Sequence, residues 1–332
     1  MLARHAESLF WTGRYIERAE STARMLDVTY HGLLEANAYE AEPAWRELLS
    51  VLRLDADFRE RGGGASAASV SSFLVLDEEN GGSIISAVER ARENIRSVRE
   101  LVPIELWEAV NSFHLDLRAR NLRRDLDQQP YVLYKLVKQR CQLIAGVASE
   151  TMPREDGWRF LQIGWTLERA EMACRLLDVR YAAQPELSDF HHWQSTLKSA
   201  SAFEAYRKAH RSSMDPSDVV AFLLLSRTFP RSVLFCLRRA ERELGLLSGS
   251  DAPMTRPERL LGRVRADLEF TDVRDIVGGG LHSFLERLQH AVRQVAEAVA
   301  LQYFRNSQEL LLTALDFRPA GAGPAPSSPG VT

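Results

Sequence analysis

The segment from Gly13 to Tyr30 is written a second time from Gly164 to Tyr181, and this repetition restricts the fold more than any other feature of the chain. Gly, Glu, Arg, Ala, Glu, Arg, Leu, Asp, Val and Tyr recur in register at ten of eighteen positions, where unrelated segments of ordinary composition share about one. The repetition continues more weakly. Trp45 and Leu49 match Trp193 and Leu197, and Phe73-Leu74-Val75-Leu76 followed by Ser83, Arg90 and Ala91 matches Phe222-Leu223-Leu224-Leu225 followed by Ser232, Arg239 and Ala240. Order is kept at offsets of 151, 148 and 149 residues. An internal duplication is the reading: a first repeat over residues 1–150, a second over 151–317, and a tail over 318–332 that is rich in Pro, Ala, Gly and Ser and is expected to be disordered.

The local signals are helical. Trp11, Tyr15, Ile16, Ala19, Ala23, Leu26 and Tyr30 follow the 3.6-residue period of an amphipathic helix. Pro43, Pro103, Pro130, Pro185, Pro216, Pro230 and Pro257 stand before or at the start of periodic runs, where a missing N–H costs nothing. Helices are predicted over 2–38, 43–54, 68–77, 83–100, 103–118 and 130–149, then as a similar set from 155 that ends in a long helix to about 317. Asn80-Gly81 is the only hairpin-like dipeptide, and its counterpart is Phe229-Pro230, so a hairpin there is not expected. The fold class is therefore all-α, an internally duplicated antiparallel helical bundle with two pseudo-symmetric halves.

Several functions are poorly matched by the composition. A formal net charge of −3 gives no general attraction to nucleic acid or anionic membrane, and the local basic run Arg118, Arg120, Arg123 and Arg124 reads as a solvated loop. No apolar stretch is long enough to span a bilayer, and Met1 to Glu7 lacks the apolar core of a signal peptide. Cys141, Cys174 and Cys236 are far apart, form no CxxC pair and suit a reducing cytoplasm. Cys174 takes the place of Ala23, as a small core residue would. The clusters Gly62-Gly63-Gly64 and Gly278-Gly279-Gly280 precede no Lys-Ser/Thr and read as loops, not phosphate cradles.

The charged residues of the repeat are the candidate site. Glu17, Glu20, Arg24 and Asp27 lie within about 80° of one another around a helix, with Arg18 on a separate edge. Glu168, Glu171, Arg175, Asp178 and Arg169 repeat that layout. Exposed i,i+4 pairs such as Glu20–Arg24 and Glu171–Arg175 contribute only about 0.3–0.5 kcal/mol, too little to hold every member in both copies. Burial between packed helices would hold them, because losing one partner of a buried pair costs about 3–5 kcal/mol. A structural buried network and a functional cleft between the halves are both compatible with this. A di-iron bundle requires Glu-x-x-His on two helices, and no Glu stands three residues before any His; His191 and His192, with Asp189, come nearest. No catalytic triad motif and no activated Cys is present, so no cofactor or metal is expected. Glu155 and Asp156, in Thr151 to Trp158, read as acidic residues at a helix start.

The opening Leu2 to Glu20 resembles the start of the bacterial alpha-E family, named for a helical domain with a Glu-Arg motif. Arg92-Glu93-Asn94, Arg96 to Glu100, Leu106-Trp107-Glu108, Thr151-Met152 with Arg154, Gly164 with Leu167 to Ala170, and Pro230-Arg231-Ser232-Val233 carry the resemblance through residues 1–315. Gly81-Gly82 departs from it, standing where the family tends to have Asn-Pro. The resemblance implies no established activity. It implies a setting: such proteins are typically encoded beside a circularly permuted ATP-grasp protein resembling amide-forming ligases, and often beside a transglutaminase-like cysteine peptidase, with peptide synthesis or modification proposed for the set. The expectation is a non-catalytic partner or scaffold of that ligase. The alternative is an enzyme using Glu17, Arg18, Glu168 and Arg169 on a peptide or other anionic substrate.

Overall fold

A computed structural model describes residues 1–35, 41–183, 190–210, 214–249 and 253–304. Among them the chain is helical throughout, with no strand. The tail over 318–332 and the last part of the long helix predicted to about 317 lie outside the described residues.

Two helices form the centre: α1 (Ala3–Glu35) and α9 (Asp156–Ala183), which carry the two copies of the repeated segment. They lie side by side and run in the same direction. The Met1 amino group is 3.7 Å from Asp156, Gly164 abuts Phe10, and Glu17 meets Arg169. The neighbours of each run antiparallel to it, as predicted for the bundle. Beside α1 pack α5 (Ile84–Ser97) and α8 (Pro130–Thr151), with α6 (Ile104–Ala119) outside them. Beside α9 pack α13 (Val233–Ser248) and α16 (Leu281–Tyr303), with α14 (Arg256–Glu269) outside. The parallel central pair is the departure from an all-antiparallel arrangement.

Glycine permits that central contact. A Cβ built on Gly13 would lie 2.3 Å from the Leu161 carbonyl oxygen, and one on Gly164 would lie 2.0 Å from the Phe10 carbonyl oxygen. Gly13 and Gly164 occupy the same place in the repeated segment, as do Phe10 and Leu161, so each helix uses its glycine to admit the backbone of the other.

The local starts and stops follow the side chains. Ser83 and Ser232, both fully buried, cap α5 and α13 by accepting from Ser86 N and Phe235 N. Asp215 caps α12 (Pro216–Leu225) from two backbone N–H groups, which orphaned first-turn donors require. Pro130 opens α8, and Thr255 with Glu258 forms a capping box at α14. After α2 (Ala41–Leu52) and α10 (Phe190–Ser199), Arg53 and Ser201 turn the chain with φ of 58° and 57°. Equivalent bonds follow, from Leu54 N to Leu49 O and from Ala202 N to Leu197 O. Trp45 and Trp193 are buried to the same degree above these turns.

The short helices outside the predicted set, including α3 (Asp55–Glu60) and α7 (Leu122–Gln128), span too few residues for a 3.6-residue period to show. The apolar side of α1 follows the 3.6-residue period, and its charged side is the one that burial between packed helices is expected to hold. Every residue from Leu9 to Ala23 is buried, so over this stretch α1 has no solvent face, and the polar side of α1 is covered by the polar side of α9.

Candidate functional site

The charged residues meet in the plane between α1 and α9. Glu168 accepts from Arg14 Nε at 2.6 Å and from Arg18 Nε at 2.7 Å and Nη2 at 3.2 Å. Glu17 accepts from Arg169 Nη2 at 2.6 Å, Trp165 Nε1 at 2.7 Å and Arg231 Nη1 at 2.7 Å. The arginine of each Glu-Arg pair therefore neutralises the glutamate of the other pair. Arg18 and Arg169, which the helical projection sets apart from the stripe, make the crossing contacts.

The second glutamates extend the network. Glu171 accepts from Arg14 Nη2 at 2.7 Å and from Arg175 one turn on. Glu20 accepts from Arg231 Nη2 at 2.7 Å, from Arg24 and from Gln142 at 3.3 Å. Both i,i+4 pairs predicted from spacing are formed. Asp27 and Asp178 leave the network: Asp27 pairs with Lys138 of α8, and Asp178 accepts from His282 Nδ1 at 2.6 Å and Gln289 at 3.3 Å, both of α16.

Three donors were not singled out as site residues: Arg14, Trp165 and Arg231. Arg14 bridges Glu168 and Glu171, and Arg231 bridges Glu17 and Glu20 in the same manner. Trp165 stands at Arg14's place in α9, and the turn before α13 supplies Arg231 to do there what Arg14 does from within α1. The signal was available in Pro230-Arg231-Ser232, whose counterpart Gly81-Gly82-Ser83 lacks the arginine.

The electrostatics are those of fixed charges. Burial pushes the Glu17 carboxyl up, but Arg169 and Arg231, with their hydrogen bonds and that of Trp165, outweigh it and hold the group at about 2. Glu168 and Glu171 are likewise lowered, burial being outweighed by Arg14 with Arg18 and by Arg175 with Arg14. In Arg14, Arg18 and Arg169, burial opposes the charge and the facing glutamates more than offset it, so all three are raised. A general acid or base works best with a pKa near the working pH, and these groups are driven far from it. The cavity at the network's edge, lined by Glu17, Ser21, Arg169 and Arg231 among others, holds about 20 Å³, space for a single water.

The other candidates fall elsewhere. His192 is buried with Nε2 2.7 Å from the Arg180 carbonyl, and no group of three His, Cys, Asp or Glu side chains among the described residues is placed to hold a metal. Burial raises all three cysteine thiols, Cys236 to about 12. In the basic run, Arg118 bridges Glu78 and Glu89, and Arg120 pairs with Asp125. Asp156 lies in the first turn of α9, as read from the sequence. No helix among the described residues is long and apolar enough to cross a membrane.

Fold and site together define a helical protein organised around a buried, reciprocally paired Glu-Arg motif. The chain belongs to the Alpha-E family, described as a predicted alpha-helical domain with a conserved ER motif, which matches residues 1–304. Uncharacterized proteins of Mycobacterium bovis and Mycobacterium tuberculosis are each 24% identical to it over 319 residues, covering 88% of this chain and 35% of theirs. The chain thus spans about a third of the length of these curated relatives. No solved structure matches it.

Proposed function

We propose that this chain is a non-catalytic helical partner, or scaffold, of an ATP-grasp amide-forming ligase in peptide synthesis or modification, acting in the cytoplasm, with a transglutaminase-like peptidase as a further member of the set. One observation carries the non-catalytic part: the charged motif is spent on internal pairing. The Glu17 and Glu168 side chains are 0% and 2% exposed, and the cavity of about 20 Å³ beside Glu17 is too small for a substrate. An enzyme using Glu17 or Glu168 would require that network to open. The length of the curated relatives supports the partner part, since their matching region is joined to about twice its own length of other sequence. The three buried, unpaired cysteines suit a reducing compartment.

Co-expression and co-purification with the ATP-grasp protein encoded beside it is the test. The expected result is a complex that survives gel filtration, and a ligase whose product formation falls at least tenfold without this chain. A ligase that forms product at full rate alone and does not bind the chain overturns the proposal.

A further inference from the structure

We infer that the groove between the α8–α9 turn and α13 is a binding site for a small molecule bearing a phosphate group. This open cavity of about 530 Å³ is lined by Arg154, Arg227, Arg238, Arg239 and Arg242 against one carboxylate, Glu243. Five cations less Glu243, and less the Glu269 carboxylate that Arg227 and Arg238 share, leave three positive charges around it. Its volume falls in the 300–1,000 Å³ range of small-molecule sites.

The guanidiniums are unequally occupied. Arg154 donates to the Ser149 and Met152 carbonyls and lies 3.8 Å over the Trp158 ring, which fixes it in place. Arg227 and Arg238 share Glu269, at 3.0 and 2.9 Å. Arg239 and Arg242 make no ion pair or hydrogen bond among the described residues. Arg239 is half-buried, and burial together with Arg169 and Arg154 works against its charge, with Glu243 the largest offset. Two unpaired arginines facing a shared groove repel each other unless an anion lies between them.

Arg239 has an arginine counterpart in Arg90, but the fold does not require the charges around it, as the first repeat shows. At an offset of 149, Arg227, Arg238 and Arg242 correspond to Glu78, Glu89 and Glu93; at 151, Glu269 corresponds to Arg118. Arg118 bridges Glu78 at 2.7 Å and Glu89 at 3.0 Å, so the same ion triad is built twice with every sign reversed. Either sign satisfies the packing, and the second repeat carries the one that accumulates arginine around a cavity.

Phosphate suits the geometry better than a single carboxylate does. The two unoccupied guanidiniums, Arg239 and Arg242, stand three residues apart on α13, with Arg154 of the α8–α9 turn lining the same groove, and a phosphate offers several oxygens around one centre to such separate guanidinium forks. Phe235 and Leu246 add an apolar wall for the organic part of the ligand.

The test is calorimetric titration of the full chain with inorganic pyrophosphate and, separately, with citrate, at constant ionic strength. Saturable binding of pyrophosphate at one site is expected, tighter than citrate, and weakened at least tenfold in the Arg239→Gln, Arg242→Gln double variant. Arg242→Gln alone, at an exposed position, preserves the fold and should weaken binding at least threefold, while Arg118→Gln should leave it unchanged. No saturable binding, an affinity unchanged by these groove substitutions, or citrate bound more tightly than pyrophosphate overturns the inference.

Discussion

Glu168 owes its charge to arginines on the opposite helix: Arg14 and Arg18 both reach it from α1. Replacing it by Gln leaves two buried guanidiniums with much of their compensation removed. Glu168→Gln is therefore expected to destabilise the protein by about 3–5 kcal/mol in urea unfolding. Glu42, paired with Arg46 at side-chain exposures of 56% and 54%, serves as the contrast. Glu42→Gln should shift stability by less than about 0.5 kcal/mol, and equal effects at the two sites would show that the motif is not buried as described. At this scale the repeat made Glu17, Glu20, Glu168 and Glu171 legible, because identity between the copies marks positions that tolerate no change. Identity between the copies does not mark Arg14, Trp165 and Arg231, because those donors compensate one another where the copies differ; only that difference, Arg231 against Gly82, points to one of them. Asp27 and Asp178 recur equally well yet serve contacts with α8 and α16, since a shared edge of a helix does not fix which neighbour lies against it.

At the level of elements, the approach of α1 to α9 depends on two glycines with no room for a methyl group. The atoms they would strike belong to backbone, which cannot swing aside, so Gly164→Ala should force the helices apart and cost on the order of 3 kcal/mol in urea unfolding. Gly32, also in α1, has nothing within 4 Å of its Cβ direction, and Gly32→Ala should instead stabilise by up to about 1 kcal/mol. A neutral Gly164→Ala would contradict the described contact. Helices such as α5 and α13 were legible because serine caps and a one-sided apolar pattern agree. For α1 the retained charges point to burial, but not to which neighbours cover them, since a helix buried by apolar packing on one side and ion pairing on the other carries the same amphipathic pattern as one facing water.

For the whole molecule, the lowered glutamates make stability depend on acid. A carboxyl whose folded pKa lies below its unfolded value stabilises fully above the unfolded value and loses that contribution as the pH falls through the folded one. For Glu17 the window runs from the ordinary 4.5 down to about 2, and Glu168 and Glu171 act in the same direction. Urea midpoints should change little between about pH 7 and 5 and then fall steadily from about 4.5 to 2, with a shallower fall in Glu17→Gln. A flat profile through that window would contradict the network's charge state. Among the described residues Glu17 takes no arginine from 1–151 and Glu168 takes none from 156–304, so each stretch supplies the donors for the other. The short turn between α8 and α9 thus acts as a tether, holding two mutually complementary surfaces at a local concentration that separate chains would not reach.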